Sequence, residues 1–293
     1  VNLCSSEKYC CMEDNFSCKI VFLTFADKRF INLLRRTEKE SMAFPFAKRY
    51  FLTDEDLPKD FIRMLCPRLY RRGFGYWRWK PFIVKQCLDL MENNDILLYC
   101  DGGSFLNVKG MDRFNEYIGI CQSIPSGILT FSQPFLEKDY TKGDLLQYFN
   151  VYNEESITMS LQLWAGAFML RKCKESVEMV ERWLEVSIEH PDLMTDKKST
   201  YPNLHGFLEH RHDQSTFSIL AKQYGAYILS YKEGAFCLTD KNSNLEKYPI
   251  QRKKISRKKY DRFRQLLTWP YRYAVGTWLI ITKGFYFHWS RSF

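Results

Sequence analysis

The sequence predicts an α/β protein: one large domain over residues 1–250, with a shorter appendage over 251–293. Two patterns predict it. Short β-rich apolar runs alternate with stretches of helical spacing, as strands and crossover helices do. The run Ile96 to Cys100 then ends abruptly in a single carboxylate, Asp101, followed by Gly102 and Gly103. The totals agree, since 293 residues at 45% apolar and 16% aromatic can bury a large core.

The elements follow in order. Residues 1–17 read as a loose leader. Lys19 to Ala26 (KIVFLTFA) reads as a first buried strand, with Asp27 as a cap and Arg29 to Ser41 as a helix bearing Ile31, Leu33 and Leu34. Lys48 to Leu52 is a short strand, which completes a βαβ start. Lys80-Pro81 opens a helix, because proline is tolerated in the first turn, and Asn93-Asn94 stops it. The strand 96–100 comes next. A helix over 111–120, a strand over 127–131, a short helix over 144–149 and an apolar strand over 161–170 (LQLWAGAFML) then alternate. Helical spacing returns over 173–190 and over 213–224, where Asp213 is the expected N-cap, and 227–231 is a last strand. In sheets of this kind ligands bind at the carboxyl ends of strands. Asp101 stands at such an end, and glycines beside it let a ligand or a metal approach the backbone.

Charge and cysteine usage narrow the class. The formal charge is +9, but residues 251–264 (QRKKISRKKYDRFR) hold eight Lys/Arg against one acid, a net of +7 that leaves +2 for the rest of the chain. The basicity belongs to a segment rather than to the domain. Ten cysteines include no CxxC pair, and Cys87, Cys100 and Cys121 fall in apolar runs, so free thiols and a reducing compartment are expected. Residues 1–18 carry no apolar signal core, and the longest apolar candidate, Tyr273 to Ile281, is too short to span a bilayer.

Four clusters are candidates for chemistry. Asp101, with Ser104 and Asn107 as further oxygen donors, suits a hard divalent cation, which needs one or two carboxylates plus phosphates and water. Arg71 to Pro81 (RRGFGYWRWKP) interleaves cations, glycines and aromatics just before a helix. It reads as a phosphate- and base-facing loop rather than a core segment. His205 to Gln214 holds three histidines beside Asp213, but neither an HExxH spacing nor a cysteine pair supports zinc. A loop delivering Asp213 and Gln214 to a cleft fits better. Glu137, Tyr140, Lys142 and Asp144 form a polar group that reads as surface. No GxxxxGK[ST] loop and no GxSxG elbow occurs.

These residues carry a resemblance. Tyr99-Cys100-Asp101-Gly102-Gly103 resembles the metal-binding DxD motif of nucleotide-sugar glycosyltransferases of the GT-A fold, with Tyr99 in place of the first acid. GFGYWRWKP (73–81), ILLYCDGG (96–103), AGAF (165–168) and HRHDQSTFSIL (210–220) look like the short glycosyltransferases of bacterial lipopolysaccharide and capsule loci. The motif order is also similar to that of the glycogenin-like family. Together these motifs fall within about residues 19–235. The resemblance implies a Rossmann-like nucleotide-binding half fused to an acceptor half in one mixed sheet, and a hexosyltransferase-type activity. It implies that Thr24, Phe25, Ala26 and Asp27 hold base and ribose. Asp101 would bind Mn²⁺ or Mg²⁺, and Gly102 and Gly103 would lie against the donor. Tyr76, Trp79 and Lys80 would flank the donor, Ala165 and Gly166 would leave room for its sugar, and Asp213 and Gln214 would face the reacting centre. The glycogenin-like order implies retention of configuration, whereas Asp213 acting as a base would imply inversion.

The partners implied are a nucleotide-sugar donor, UDP-linked by preference, and a glycan or lipid-linked acceptor. The appendage points to a third. Nine of the 25 residues over 269–293 are aromatic, next to the basic run, which suits an anionic membrane surface at the cytoplasmic face. Packing on the domain, or a homo-oligomer interface, would use the same residues. Nucleic acid is not expected, because no recognition fold accompanies the basic run. The rival reading is a catalytically idle binding protein of the same fold, attached through its basic tail to a membrane or nucleic acid.

Overall fold

The computed structural model describes residues 18–234 and 247–252. The expected leader, most of the basic run and the aromatic segment lie outside them. The strands are β1 (Ile20–Phe25), β2 (Lys48–Leu52), β3 (Ile96–Asp101), β4 (Ser104–Leu106), β5 (Ile128–Leu136), β6 (Leu161–Arg171), β7 (Tyr227–Leu229) and β8 (Ile250–Arg252). The main helices are α1 (Ile31–Ser41), α2 (Lys59–Leu65), α3 (Lys80–Asp89), α4 (Met111–Ser123), α5 (Gly143–Tyr148), α6 (Lys174–Glu189) and α7 (His212–Gln223).

Six strands form one mixed sheet in the order β2-β1-β3-β6-β5-β7. β2, β1 and β3 are parallel neighbours, and β5 and β7 are parallel to each other. β6 runs antiparallel to both β3 and β5, so it alone opposes the other five. The expected α/β architecture, a parallel half continued into a mixed half in one sheet, is the one observed. A second, two-stranded sheet pairs β4 with β8, so Gln251 and Arg252 join the domain rather than the appendage.

Strand alternation divides the core between the two faces of the sheet. Val21, Leu23, Leu97, Tyr99 and Phe168 pack on one face with Ile83, Val84, Trp183 and Phe217 from α3, α6 and α7. Ile20, Phe22, Ile96, Leu98, Cys100 and Met169 pack on the other with Phe114, Tyr117 and Ile118 of α4. β1 and β3 are buried on both faces, which is why they read as continuous apolar runs. The cysteines among the described residues, at 18, 66, 87, 100, 121 and 173, are all free. No helix among the described residues is long and apolar enough to cross a membrane.

Three expectations need correction. Asp213 is not the cap of its helix, because α7 already begins at His212, whose backbone is left-handed at φ +52°. The segment Arg71 to Pro81, read as a phosphate- and base-facing loop rather than core, is core in part, since Arg78, Trp79 and Lys80 are buried. Arg78 can be buried because its Nε donates to Ser187 O at 2.8 Å, and Trp79 because its indole N–H donates to Gly73 O at 2.9 Å. Glu137 and Lys142 are likewise buried rather than on the surface.

Candidate active site

Three elements bring the site together. β3 ends at Asp101. β6 runs the other way beside it, with Cys100 opposite Ala167, so Ala165 and Gly166 arrive at the same carboxyl edge. α3 starts at Lys80 and α7 carries Asp213 in its first turn.

The Lys80 ammonium is the hub. It lies 2.7 Å from Asp213 Oδ2, 3.2 Å from Asp101 Oδ1 and 3.1 Å from Ala165 O. These acceptors use all three of its N–H donors. Lys80 is only 2% exposed and Asp213 only 5%. A cation in the first turn of a helix opposes the helix dipole, and the two carboxylates offset that cost.

Burial by itself lowers the proton affinity of Lys80, but Asp101 and Asp213 more than reverse this, so the group stays an ammonium. Burial pushes Asp213 up to about 6, because Lys80 returns less stabilisation than the lost water gave, and Asp101 raises it further. Tyr99 stands two residues before Asp101 on β3. It is fully buried, donates its hydroxyl to Asp101 Oδ1 at 2.9 Å, and is held well above the usual phenol range by burial and by Asp101.

Asp101 Oδ1 is therefore committed to Lys80 and Tyr99. Its Oδ2 has no hydrogen-bond partner among the described residues, and the side chain is 32% exposed. Oδ2 faces Gly166, where an added Cβ would lie 2.8 Å away from it and 2.2 Å from Trp164 Nε1. Only glycine fits there. Gly102 packs on Phe25 O and Ala26, while nothing among the described residues stands within 4 Å of Gly103 on its side-chain face. The turn is held from behind by Arg36, whose guanidinium donates to Gly102 O at 3.1 Å and Ser104 O at 2.5 Å and stacks on Phe105.

The remaining expected residues divide in two. Ala26 closes on Gly102, and Thr24 and Phe25 pair with Cys100 and Asp101 across β1–β3. Thr24 Oγ1 is buried without a hydrogen-bond partner among the described residues. The Phe25 ring is stacked on Trp79 at 3.8 Å, so these two aromatics are core rather than open platforms. Asp27 pairs with Arg29 and caps the turn Lys28–Phe30. The Arg29 hydrogen bond holds its carboxyl below the usual range. Tyr76 lies further out, with its hydroxyl on Asp196 at 2.9 Å and its ring on His212 at 4.7 Å. Gln214 donates to Gln162 Oε1 at 2.7 Å.

Sequence reading missed Gln162, which is fully buried inside a strand that looked apolar from end to end. It also missed the role of the histidines. His210 Nε2 bonds Leu193 O and His212 Nδ1 bonds Met194 O, both at 2.9 Å, so they pin the segment over 191–195. Burial holds both below the ordinary histidine range, to about 4 for His212.

No protein-family model matches the chain, and no curated protein matches it. Among solved structures it is similar to a glycosyltransferase involved in glycosylation of the major capsid of PBCV-1, at 11% identity and TM-score 0.45, over 84% of this chain and 99% of that one. It is also similar to mouse xyloside xylosyltransferase 1, at 11% identity and TM-score 0.43, over 81% and 98%. A third is the galactosyltransferase LgtC in complex with donor and acceptor sugar analogues, at 12% identity and TM-score 0.43, over 81% and 87%. Likenesses this distant carry nothing about what this chain does, which is judged on the geometry around Lys80.

Proposed function

We propose that this chain transfers a sugar from a nucleotide-diphosphate sugar, a UDP-sugar by preference, to a hydroxyl of a surface glycan such as lipopolysaccharide or capsule. The observation that carries the reading is the convergence of Asp101 and Asp213, from β3 and α7, on the buried Lys80 ammonium at the carboxyl edge of the sheet. A buried ion triad is weak support for stability but holds two carboxylates in fixed positions, and an active site needs such fixing.

The donor set suits a divalent cation brought with the diphosphate. Asp101 offers one open carboxylate oxygen, and Mg²⁺ or Mn²⁺ takes one or two carboxylates together with substrate phosphates. Asp101 would hold the ion, which would neutralise charge on the departing diphosphate. Tyr99 cannot act as a second carboxylate, so protein affinity for the ion without nucleotide is low.

The chain's own residues do the rest. Lys80 and Tyr99 orient Asp101, and Gly166 keeps the space in front of it clear for the donor sugar. Asp213, with its proton affinity raised towards neutrality, is tuned for a general base. An inverted product would assign it that role. A retained product would leave it as the anchor of Lys80, with Gln214 nearest the reacting centre. The glycan class rests on the motif resemblance. The membrane face rests on the basic, aromatic composition of 251–293.

The test is turnover: purified protein is incubated with UDP- and GDP-sugars and Mn²⁺, with released nucleotide as the readout and product configuration read by NMR. Release from one donor class, lost in Asp101→Ala, supports the reading. No release from any donor favours the idle binding protein.

A further inference from the structure

We propose that Glu137 and Gln162 are positioning residues that lock the side-chain amide of Gln214 with its oxygen turned outward beside Asp213. The cleft is thereby offered a hydrogen-bond acceptor. The argument rests on what each buried group is able to donate.

Glu137 follows directly after β5 and is fully buried. Its carboxylate can only accept. Oε2 takes Lys222 Nζ at 2.6 Å and the Ser218 hydroxyl, and Oε1 takes Thr141 Oγ1 at 2.6 Å. Gln162 meets the same Oε1 at 3.1 Å and must therefore present its NH₂. Ser215 enforces the same choice. Its hydroxyl proton is spent on Tyr140 O at 2.8 Å, so towards Gln162, at 3.3 Å, it too can only accept. The Gln162 oxygen is thus turned the opposite way, towards Gln214, whose NH₂ donates to it at 2.7 Å. Gln214 has no freedom to reverse, because two amide oxygens would then face each other. Its Oε1 accepts from no other group among the described residues.

Replacing a buried ion pair with apolar residues is often neutral or stabilising, so the buried Glu137–Lys222 pair is weak evidence of a role in stability alone. Its consequence here is polarity. The Lys222 charge fixes Glu137, Glu137 fixes Gln162, and Gln162 fixes Gln214. On the transferase reading, the outward oxygen receives a sugar hydroxyl, and the site discriminates against analogues lacking that hydroxyl.

The test needs no substrate. In protein labelled with ¹⁵N on glutamine side chains, the Gln214 NH₂ pair is assigned by its loss in Gln214→Ala, and its solvent exchange is measured. One hydrogen bond should slow exchange about tenfold relative to an exposed glutamine. Glu137→Gln, which can donate back to Gln162, should remove that protection, and Lys222→Arg, which keeps the charge, should retain it. Should Glu137→Gln fail to fold, Gln162→Met removes the acceptor for Gln214 at similar volume and serves in its place. Exchange at the exposed rate in the wild type, or unchanged exchange in Glu137→Gln or Gln162→Met, would overturn the proposal. A protected amide in a protein that binds no nucleotide would support the orientation while removing the sugar hydroxyl as its partner, so the two readings fail separately.

Discussion

Lys80 Nζ and Asp213 Oδ2 stand 2.7 Å apart, although 133 residues separate them in the chain. Their contact joins the first turn of α3 to the first turn of α7, and Asp101 completes it from the end of β3. The carboxyl edge of the sheet is organised around this buried cation.

Removing the cation should therefore cost more than an average substitution. Lys80→Met leaves two carboxylates facing each other in a largely dry site, and breaking such a set costs about 3–5 kcal/mol. Denaturant unfolding should show this loss. Adding Asp213→Asn to Lys80→Met should recover part of it, because one uncompensated charge is gone. A loss below about 1 kcal/mol would mean the triad is solvated rather than buried.

The raised proton affinity of Asp213 predicts a pH dependence with a definite sign. Its folded value is about 6 against an ordinary 3.8, so the native state binds more protons than the unfolded state between these values. Stability from this group is fully present below the unfolded value and is lost as pH rises towards 6. Measured against Asp213→Asn, which does not titrate, wild-type stability should decline from pH 4 to pH 6 and then level off. A flat difference would contradict the burial of this carboxylate.

Gly166 gives a steric prediction. Gly166→Ala places a methyl 2.2 Å from Trp164 Nε1 and 2.8 Å from Asp101 Oδ2. Overpacking of this kind costs about 1–3 kcal/mol. It should also displace Asp101, so thermal melts should show both a lower Tm and a smaller response to nucleotide with Mn²⁺. An unchanged response would mean that Asp101 Oδ2 does not meet the ligand.

Arg36 lies behind the turn rather than in front of it, and Arg36→Leu leaves Asp101 in place. The lost charge-assisted bonds to Gly102 O and Ser104 O are worth about 1.5–3 kcal/mol in total effect on the turn. Nucleotide affinity measured by calorimetry should fall although no ligating group has been removed. Unchanged affinity would show that the turn holds its shape without Arg36.

Much of this was legible in the sequence, and the reasons are local. β1, β3 and β6 are apolar runs between turn residues, and Asp101 is marked by the glycines that follow it. The helices α3, α6 and α7 begin within a residue of where their spacing puts them. What escaped was long-range or contrary to residue type. β4 and β8 are three residues each and far apart in the chain, so neither carries a periodic signal. Lys80, set among aromatics, reads as part of a phosphate-facing loop because lysine is seldom buried, and only its two distant acids make its burial tolerable. Gln162 was hidden by its apolar neighbours, and Glu137 by its polar ones. The residues over 73–77 all have positive φ, from +52° to +92°. Gly73 and Gly75 permit this, but Phe74, Tyr76 and Trp77 give no hint of it.

The most direct measurement is a thermal-shift panel of nucleoside diphosphates, UDP and GDP among them, with and without Mn²⁺, on wild type and Asp101→Ala. At about one hundred times Kd, a specific ligand should raise Tm by roughly 5–10 °C in a domain of this size. The account predicts such a shift with one nucleotide in the presence of Mn²⁺, little or none with Mn²⁺ alone, and its loss in Asp101→Ala. A folded wild-type protein that shifts with no nucleotide, with or without the ion, would contradict it.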